Sequence, residues 1–195
     1  MRHDITIHGT KFRLRPIRID DAEYITWLRS QPQNSKFIHP TVNNVAKQRE
    51  WLERYFTRNG DYYFAIEQKF TDNTVGLISI YNHDVISRSA EWGRWVVEKR
   101  GYASVESVKL IYTCAFEILN LTSVFCRTLV SNQQVVSFHD KCCLTDKVLL
   151  KNFFEIDATY HDAIEHQLYD FDWLRVKKTL SKLCGEPKNY VPKKG

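Results

Sequence analysis

The run Glu91 to Ser107, EWGRWVVEKRGYASVES, holds the densest chemistry in the chain. A β-branched stretch ends at Glu-Lys-Arg, a single glycine follows, and a helix-like rhythm begins at once. A glycine turn between a strand and a helix can gather backbone N–H groups where phosphates rest. The same turn can equally be a tight connection in which Gly101 supplies backbone freedom. On the residues alone both readings stand. The other chemistry on offer is metal binding, because His139, Cys142 and Cys143 lie close together. No second ligand pair at zinc-like spacing accompanies them, and adjacent cysteines on a short helix point apart, so no metal is expected.

The elements that must position this run follow from periodicity. Thr10–Arg15 alternates as a strand. Asp20 and Glu23 resemble a capping box for a helix with Ala22, Ile25 and Leu28 on one side, stopped by Pro32. A second helix spans Val45–Thr57, with Trp51, Leu52, Tyr55 and Phe56 as its stripe. Tyr62–Phe70, Thr74–Tyr81 and Ala90–Val97 read as three antiparallel strands. The strongest helix comes next, with Val105, Val108, Ile111 or Tyr112, Ala115 and Leu119 in register. Ser123–Val130 is a strand, Asn132–Cys142 a short helix, Leu149–Ile156 and Glu165–Phe171 strands, and Asp172–Leu183 a last helix. One strand–helix–strand crossover inside an otherwise antiparallel sheet makes the fold α+β, a single-domain mixed sheet flanked by helices. Residues 1–185 form that domain, and Glu186 to Gly195 are expected to be a flexible tail.

Length and composition agree with one globular domain: 195 residues, 43% hydrophobic and 26% charged. The net charge of +5 is mild and its basic residues are scattered, so neither nucleic acid nor a membrane is expected as partner. A modest positive field still helps to collect an anionic cofactor or substrate. Five cysteines without framework spacing, an N-terminus without a signal-like apolar stretch and no bilayer-length apolar run lead to the expectation of a reducing cytoplasm.

With that element order in place, the chain resembles the GNAT superfamily of acyl-CoA-dependent N-acetyltransferases from Lys11 to about Phe171. The likeness is carried by EWGRWVV, the turn, SVESVKLIYTCAFEILNLTSVFCRTLV and SNQQVVSFHDKCCL. It implies a Glu-x-Gly strand, a helix N-terminus that receives the pyrophosphate of acetyl-CoA, and an Asn-headed helix that completes the site. The family turn reads Arg/Gln-x-x-Gly-x-Gly/Ala. Aligned on Gly101-Tyr102-Ala103, its first position falls on Glu98, and the segment before the glycine is short. A carboxylate there would repel phosphate, so Glu98 is expected to point away, with Lys99 and Arg100 supplying positive charge. The phosphates would rest on the N–H groups of Gly101, Tyr102, Ala103, Ser104 and Val105, with the Ser104 hydroxyl beside them. Cys142-Cys143-Leu144 departs from the family's usual small residue, Gly and Phe.

Amide formation from an amine and a thioester needs a deprotonated amine, close approach, an oxyanion donor and a donor for the departing thiolate. Glu91 is the candidate base, acting directly or through water. On an alternating strand it shares a face with Gly93, Trp95 and Val97, where Trp95 would raise its pKa. The alternative is a carboxylate paired with Arg94 or Arg88. The resemblance makes the N–H groups of Val96 and Val97 the oxyanion donors. It places His139 where many members carry a tyrosine that donates to the CoA sulfur; the alternative is a structural histidine beside Val135, Phe138 and Cys142. The resemblance also implies that Asn132 hydrogen-bonds the pantetheine arm and that Ser137 binds the cofactor; Asn132 is alternatively a plain N-cap.

For the amine, WLRSQPQNSKF and REWLERYF resemble the substrate-side helices of members that acetylate nucleotide-linked amino sugars for surface polysaccharide or glycans. Arg29, Lys36 and His39 can meet a diphosphate, Trp27 or Phe37 can stack on a ring, and His83 can reach the acceptor. Trp27 and Trp51 can instead be inter-helix core. N-terminal acetyltransferases of ribosomal proteins share much of this pattern. A polyamine site would want clustered carboxylates, and none stands out. A non-catalytic acyl-CoA-binding module is the further alternative. Monomer and homodimer both remain open.

Overall fold

The computed structural model describes residues 3–37, 43–142 and 146–185. His39, Cys143, Leu144 and the tail from 186 lie outside the described residues. The chain runs β1 (Ile7–His8), β2 (Phe12–Pro16), a 3-10 turn (Ile19–Asp21), α1 (Ala22–Ser30), α2 (Pro32–Ser35) and α3 (Val45–Tyr55). It continues through β3 (Tyr62–Gln68), β4 (Thr74–Asp84), β5 (Ser89–Val97) and α4 (Tyr102–Thr113), which ends in a π-helical turn (Cys114–Ile118). The remainder is β6 (Ser123–Leu129), α5 (Gln133–Lys141), β7 (Asp146–Ile156), β8 (Thr159–Tyr169) and α6 (Asp170–Leu183). The expected α+β architecture is present: an eight-stranded sheet in the order β1-β2-β3-β4-β5-β6-β8-β7, parallel only between β5 and β6.

Alternation along the strands sorts the core to two sides of the sheet. Phe64, Ile66, Ile78, Ile80 and Trp92 face α4 and α6, where Ile111, Tyr112, Trp173 and Leu180 complete one cluster. Tyr63, Ala65, Leu77 and Val96 face α1 and α3, meeting Ile25, Leu28, Leu52 and Tyr55. The β1 strand and the single-turn α2 were not anticipated. Both are too short for periodicity to register.

The entry to α1 differs from the expected Asp20–Glu23 box. It is Asp21 that accepts from the Arg18 N–H at 2.7 Å, while the Arg15 guanidinium holds both its oxygens at 2.8 Å. Arg15 also reaches Glu67 at 2.8 Å, tying α1 to the sheet. Gln31 is extended ahead of Pro32, as the proline ring demands, and ends α1. Asn44 caps α3 by accepting from the Lys47 N–H at 3.0 Å.

Candidate active site

The parallel ladder between β5 and β6 is short. Ser89, Ala90 and Glu91 pair with Ser123, Val124 and Phe125, and the pairing goes no further. Beyond that point the strands diverge, and Trp92–Val97 and Cys126–Leu129 line a cavity of about 1490 Å³. The wedge opens through the sheet: Trp51 and Arg54 of α3 and Arg58 just after it line one side, Gly101, Ser104 and Asn132 the other. At more than about 1,000 Å³ it exceeds the usual volume for one small ligand, as two substrates meeting through a sheet would require.

A β-bulge shapes the β5 wall. Leu77 pairs with Val96 but Ser79 with Gly93, so β5 carries one extra residue there. Arg94 sits in the left-handed region at φ 48°. Its guanidinium is clamped by both oxygens of Asp61 at 2.6 and 3.0 Å and lies over the Tyr81 ring at 4.4 Å. The bulge corrects the uninterrupted alternation expected for this strand. Trp95 lies with Trp92, ring centroids 6.0 Å apart, on the α4 side, while Val96 joins the α1–α3 cluster. Glu91 therefore does not share a face with Trp95.

Glu91 is buried and does not itself line the cavity. Its Oε2 accepts from Asn82 at 3.2 Å and from Arg127 at 3.1 Å, and its Oε1 from the Tyr81 hydroxyl at 3.3 Å. Neither Arg94 nor Arg88 is its partner; Arg88 donates to the Asn120 carbonyl at 3.0 Å. His139 is 1% exposed and lines the cavity among Trp92, Trp95, Phe138 and His166. Its Nε2 lies 3.7 Å from the Cys126 sulfur. Burial, helped by the neighbouring His166, pulls its pKa down to about 3, so the ring is neutral.

At the head of α4, Gly101 has φ +140°, a conformation that favours glycine, and a Cβ there would meet no atom within 4 Å. The glycine thus serves the backbone conformation and leaves the space above the helix end open. First-turn N–H groups have no partner inside a helix, so those of Gly101, Tyr102 and Ala103 are available to an anion. The Ser104 hydroxyl and Asn132 Oδ1 are buried without a hydrogen-bond partner. Asn132 heads α5 without making the side-chain hydrogen bond of a plain N-cap. Two orphaned polar atoms and an open helix end fit a polar, phosphate-bearing thioester.

Val96, Val97, Arg100, Tyr102 and Ser137 also line the cavity, and Arg100 donates to Gln134. The Ala103 side chain lies instead in a second groove. Glu98 is turned to that groove as well, accepting from the Tyr24 hydroxyl at 2.9 Å.

On the acceptor side, Arg29 and Phe37 line the cavity. Trp27 does not; it lies in the second groove, 5.7 Å from the Tyr24 ring, because its position on α1 faces away from α3. His83 also falls outside the wall, packed beside Gly60. Lys36 lies over the Phe37 ring at 4.7 Å. Tyr81, Arg127, Lys47, Arg54 and Arg58 are wall residues that the sequence reading missed. Lys47 and Arg54 had a signal: a spacing of seven puts them on one face of α3.

A parallel pair splayed around a cavity, with a helix N-terminus on one side of the sheet and the α3 side chains on the other, is the arrangement of a protein that brings an acyl thioester and an acceptor together through a sheet. The chain belongs to the acetyltransferase (GNAT) domain family, whose model matches residues 11–144. It is 25% identical over 127 residues, 64% of this chain and 67% of the other, to "Putative ribosomal N-acetyltransferase YdaF" of Bacillus subtilis (strain 168). Among solved structures it resembles the apo form of FdhC, a nucleotide-linked sugar GNAT, with TM-score 0.76 and 24% identity over 94% of this chain and 100% of that one. It also resembles the spermidine/spermine N-acetyltransferase SpeG from Vibrio cholerae, with TM-score 0.73 and 19% identity over 86% and 98% of the two chains. At these identities the structural likenesses establish the fold. The protein is an N-acetyltransferase, of a family that uses acetyl-CoA.

Proposed function

We propose that the protein transfers an acetyl group from acetyl-CoA directly to the primary amine of a nucleotide-linked amino sugar. The observation that carries this reading is the charge of the cavity wall. Eight cationic side chains line it and, among the described residues, no carboxylate does. Arg94 is neutralised by Asp61, and Arg127 is shared between Glu91 and Glu165. Arg29, Lys47, Arg54 and Arg58 line the acceptor side, across the sheet from the helix end that would hold the CoA phosphates. A polyamine meeting them would be repelled by about 1 kcal/mol per close charge pair even in water, whereas a diphosphate is attracted by as much.

Direct transfer follows from the state of the thiol. Cys126 is the one cysteine on the wall among the described residues, and burial pushes its thiol far above the ordinary range. With His139 neutral beside it, no thiolate is formed to take the acetyl group covalently. What this chain's residues supply is orientation of the thioester by α4 and α5, and an N–H donor from β5 at Val97 for the oxyanion; the Val96 N–H is turned toward β4, in step with that of Glu98, which donates to the Val75 carbonyl at 2.9 Å. His139, on the cavity wall with its Nδ1 buried and without a hydrogen-bond partner, would supply an N–H donor to the leaving sulfur.

The test is a turnover screen of acetyl-CoA against nucleotide-linked amino sugars, N-terminal peptides and polyamines. Acetylation of the sugars alone is the expected outcome. Acetylation of peptides alone would sink the sugar assignment and favour the ribosomal-protein reading that the B. subtilis relative supports. For the cofactor end, Arg100→Glu is expected to weaken acetyl-CoA binding about tenfold or more in a calorimetric titration, because it turns a charge-assisted contact into repulsion. Unchanged affinity would return the Gly101 turn to a plain connection.

A further inference from the structure

We propose that Tyr81, in place of a water molecule, is the group through which Glu91 takes the proton from the acceptor's ammonium. This rests on the acetyl-transfer reading above. Glu91 does not line the cavity, and of its three hydrogen-bond partners Tyr81 and Arg127 do while Asn82 does not. Arg127 is a cation and cannot accept a proton from an ammonium. Tyr81 is a wall residue and donates its hydroxyl to Glu91 Oε1 at 3.3 Å. Asn82 and Arg127 both occupy Oε2, which leaves Oε1 to the tyrosine.

The Glu-Trp-Gly sequence of β5 gains a local reason from the same contact. A Cβ on Gly93 would fall 2.6 Å from the Tyr81 hydroxyl oxygen, so the glycine is what lets that hydroxyl lie across β5 toward Glu91. The ring cannot easily swing aside, because the Arg94 guanidinium covers it and is itself clamped by Asp61. The bulge at Arg94, a left-handed residue that is not glycine, is the strained feature that brings this lid over the tyrosine. The charged and titratable groups facing the tyrosine are Glu91 and Arg94 of β5 and Cys126 of β6, and Glu91 also faces Arg127. Burial, with Glu91 next in effect, raises the phenol above its ordinary range, so Tyr81 acts as a neutral relay and not as a phenolate.

The step balances as a paired transfer. The ammonium N–H passes to the phenol oxygen while the phenol O–H passes to Glu91 Oε1. The amine becomes neutral, the phenol is regenerated, and Glu91 carries the proton until it is released to solvent. The second nitrogen proton leaves after attack on the thioester, and the thiolate is protonated to give free CoA.

Tyr81→Phe keeps the ring under Arg94 and removes only the hydroxyl. With an alkyl primary amine that the wild type acetylates, Tyr81→Phe and Glu91→Gln are each expected to lower kcat about 100-fold, with the double variant no worse and acetyl-CoA KM within about twofold. With methoxyamine, which is already neutral at the assay pH, all three variants are expected to run near the wild-type rate. Loss of kcat in Glu91→Gln but not in Tyr81→Phe would overturn the relay in favour of water. Wild-type kcat in both would overturn the relay and the base role of Glu91 together. A defect in Tyr81→Phe that persists with methoxyamine would make the tyrosine a packing residue. The comparison uses whichever alkyl amine turns over, so failure of the nucleotide-sugar assignment in the screen would leave the relay standing.

Discussion

Reversing Arg54 and Arg58 together to glutamate is expected to lower kcat/KM for a nucleotide-linked amine about 100-fold while leaving acetyl-CoA affinity unchanged. Arg54, on the last turn of α3, and Arg58, just beyond the helix, are both exposed, so the variant should fold normally. Their guanidinium groups line the acceptor side of the wedge, across the sheet from Gly101 and Asn132. Each reversal exchanges attraction for repulsion, a swing of about 2 kcal/mol at close range in water and more where the wall excludes solvent. The loss should fall on KM and diminish as salt is added, since exposed charges are screened. An N-terminal peptide without phosphates should show little change or a gain. Equal losses for phosphorylated and unphosphorylated amines would place Arg54 and Arg58 outside acceptor recognition.

Much of this architecture was legible in the sequence, for reasons that particular elements make plain. α4 and the strands β3, β4 and β5 carry long, regular periodicities, and long regular patterns are what sequence reveals best. The place of the Gly101 turn was legible from the regular patterns on either side of it, but its role was not, because a lone glycine there fits a plain connection equally well. Glu98 could be turned away from the cofactor on charge alone, and it faces Tyr24. The bulge was not legible. It depends on the register of β4 against β5, and nothing in EWGRWVV announces that Arg94 adopts a positive φ. One inserted residue moved Trp95 away from Glu91 and changed the inferred environment of the base. Trp27 was misplaced for a related reason: helical periodicity says which residues share a face, not which face meets the cavity. Tyr81 was missed because its importance lies in a cross-strand contact with Gly93 and Glu91, which pairing alone reveals.

Acid should destabilise the fold well above the range in which carboxylates titrate, and His139 should account for most of the effect. The ring is 1% exposed, enclosed by Trp92, Trp95, Phe138 and His166, with Cys126 at its Nε2. Burial lowers its folded pKa to about 3, against 6.5 for the unfolded chain. Below pH 6.5 the unfolded state therefore binds a proton that the native state refuses, and stability falls with pH until the folded value is reached. At pH 5 the loss is about 2 kcal/mol, equivalent to about 4–8 °C in Tm for a chain of this size. His166, also lowered by burial despite its bond to Asp140 at 3.2 Å, adds in the same direction. Asp140 is held below its ordinary value by Lys147 and His166, so its contribution is lost only at lower pH. Thermal melts from pH 8 to pH 4.5 should show this slope, and His139→Gln should remove about 2 kcal/mol of it at pH 5. A slope unchanged in His139→Gln would mean that the ring is protonated in the native protein. That result would also restore an imidazolium acid for the leaving thiolate, which a neutral His139 can serve only as an N–H hydrogen-bond donor.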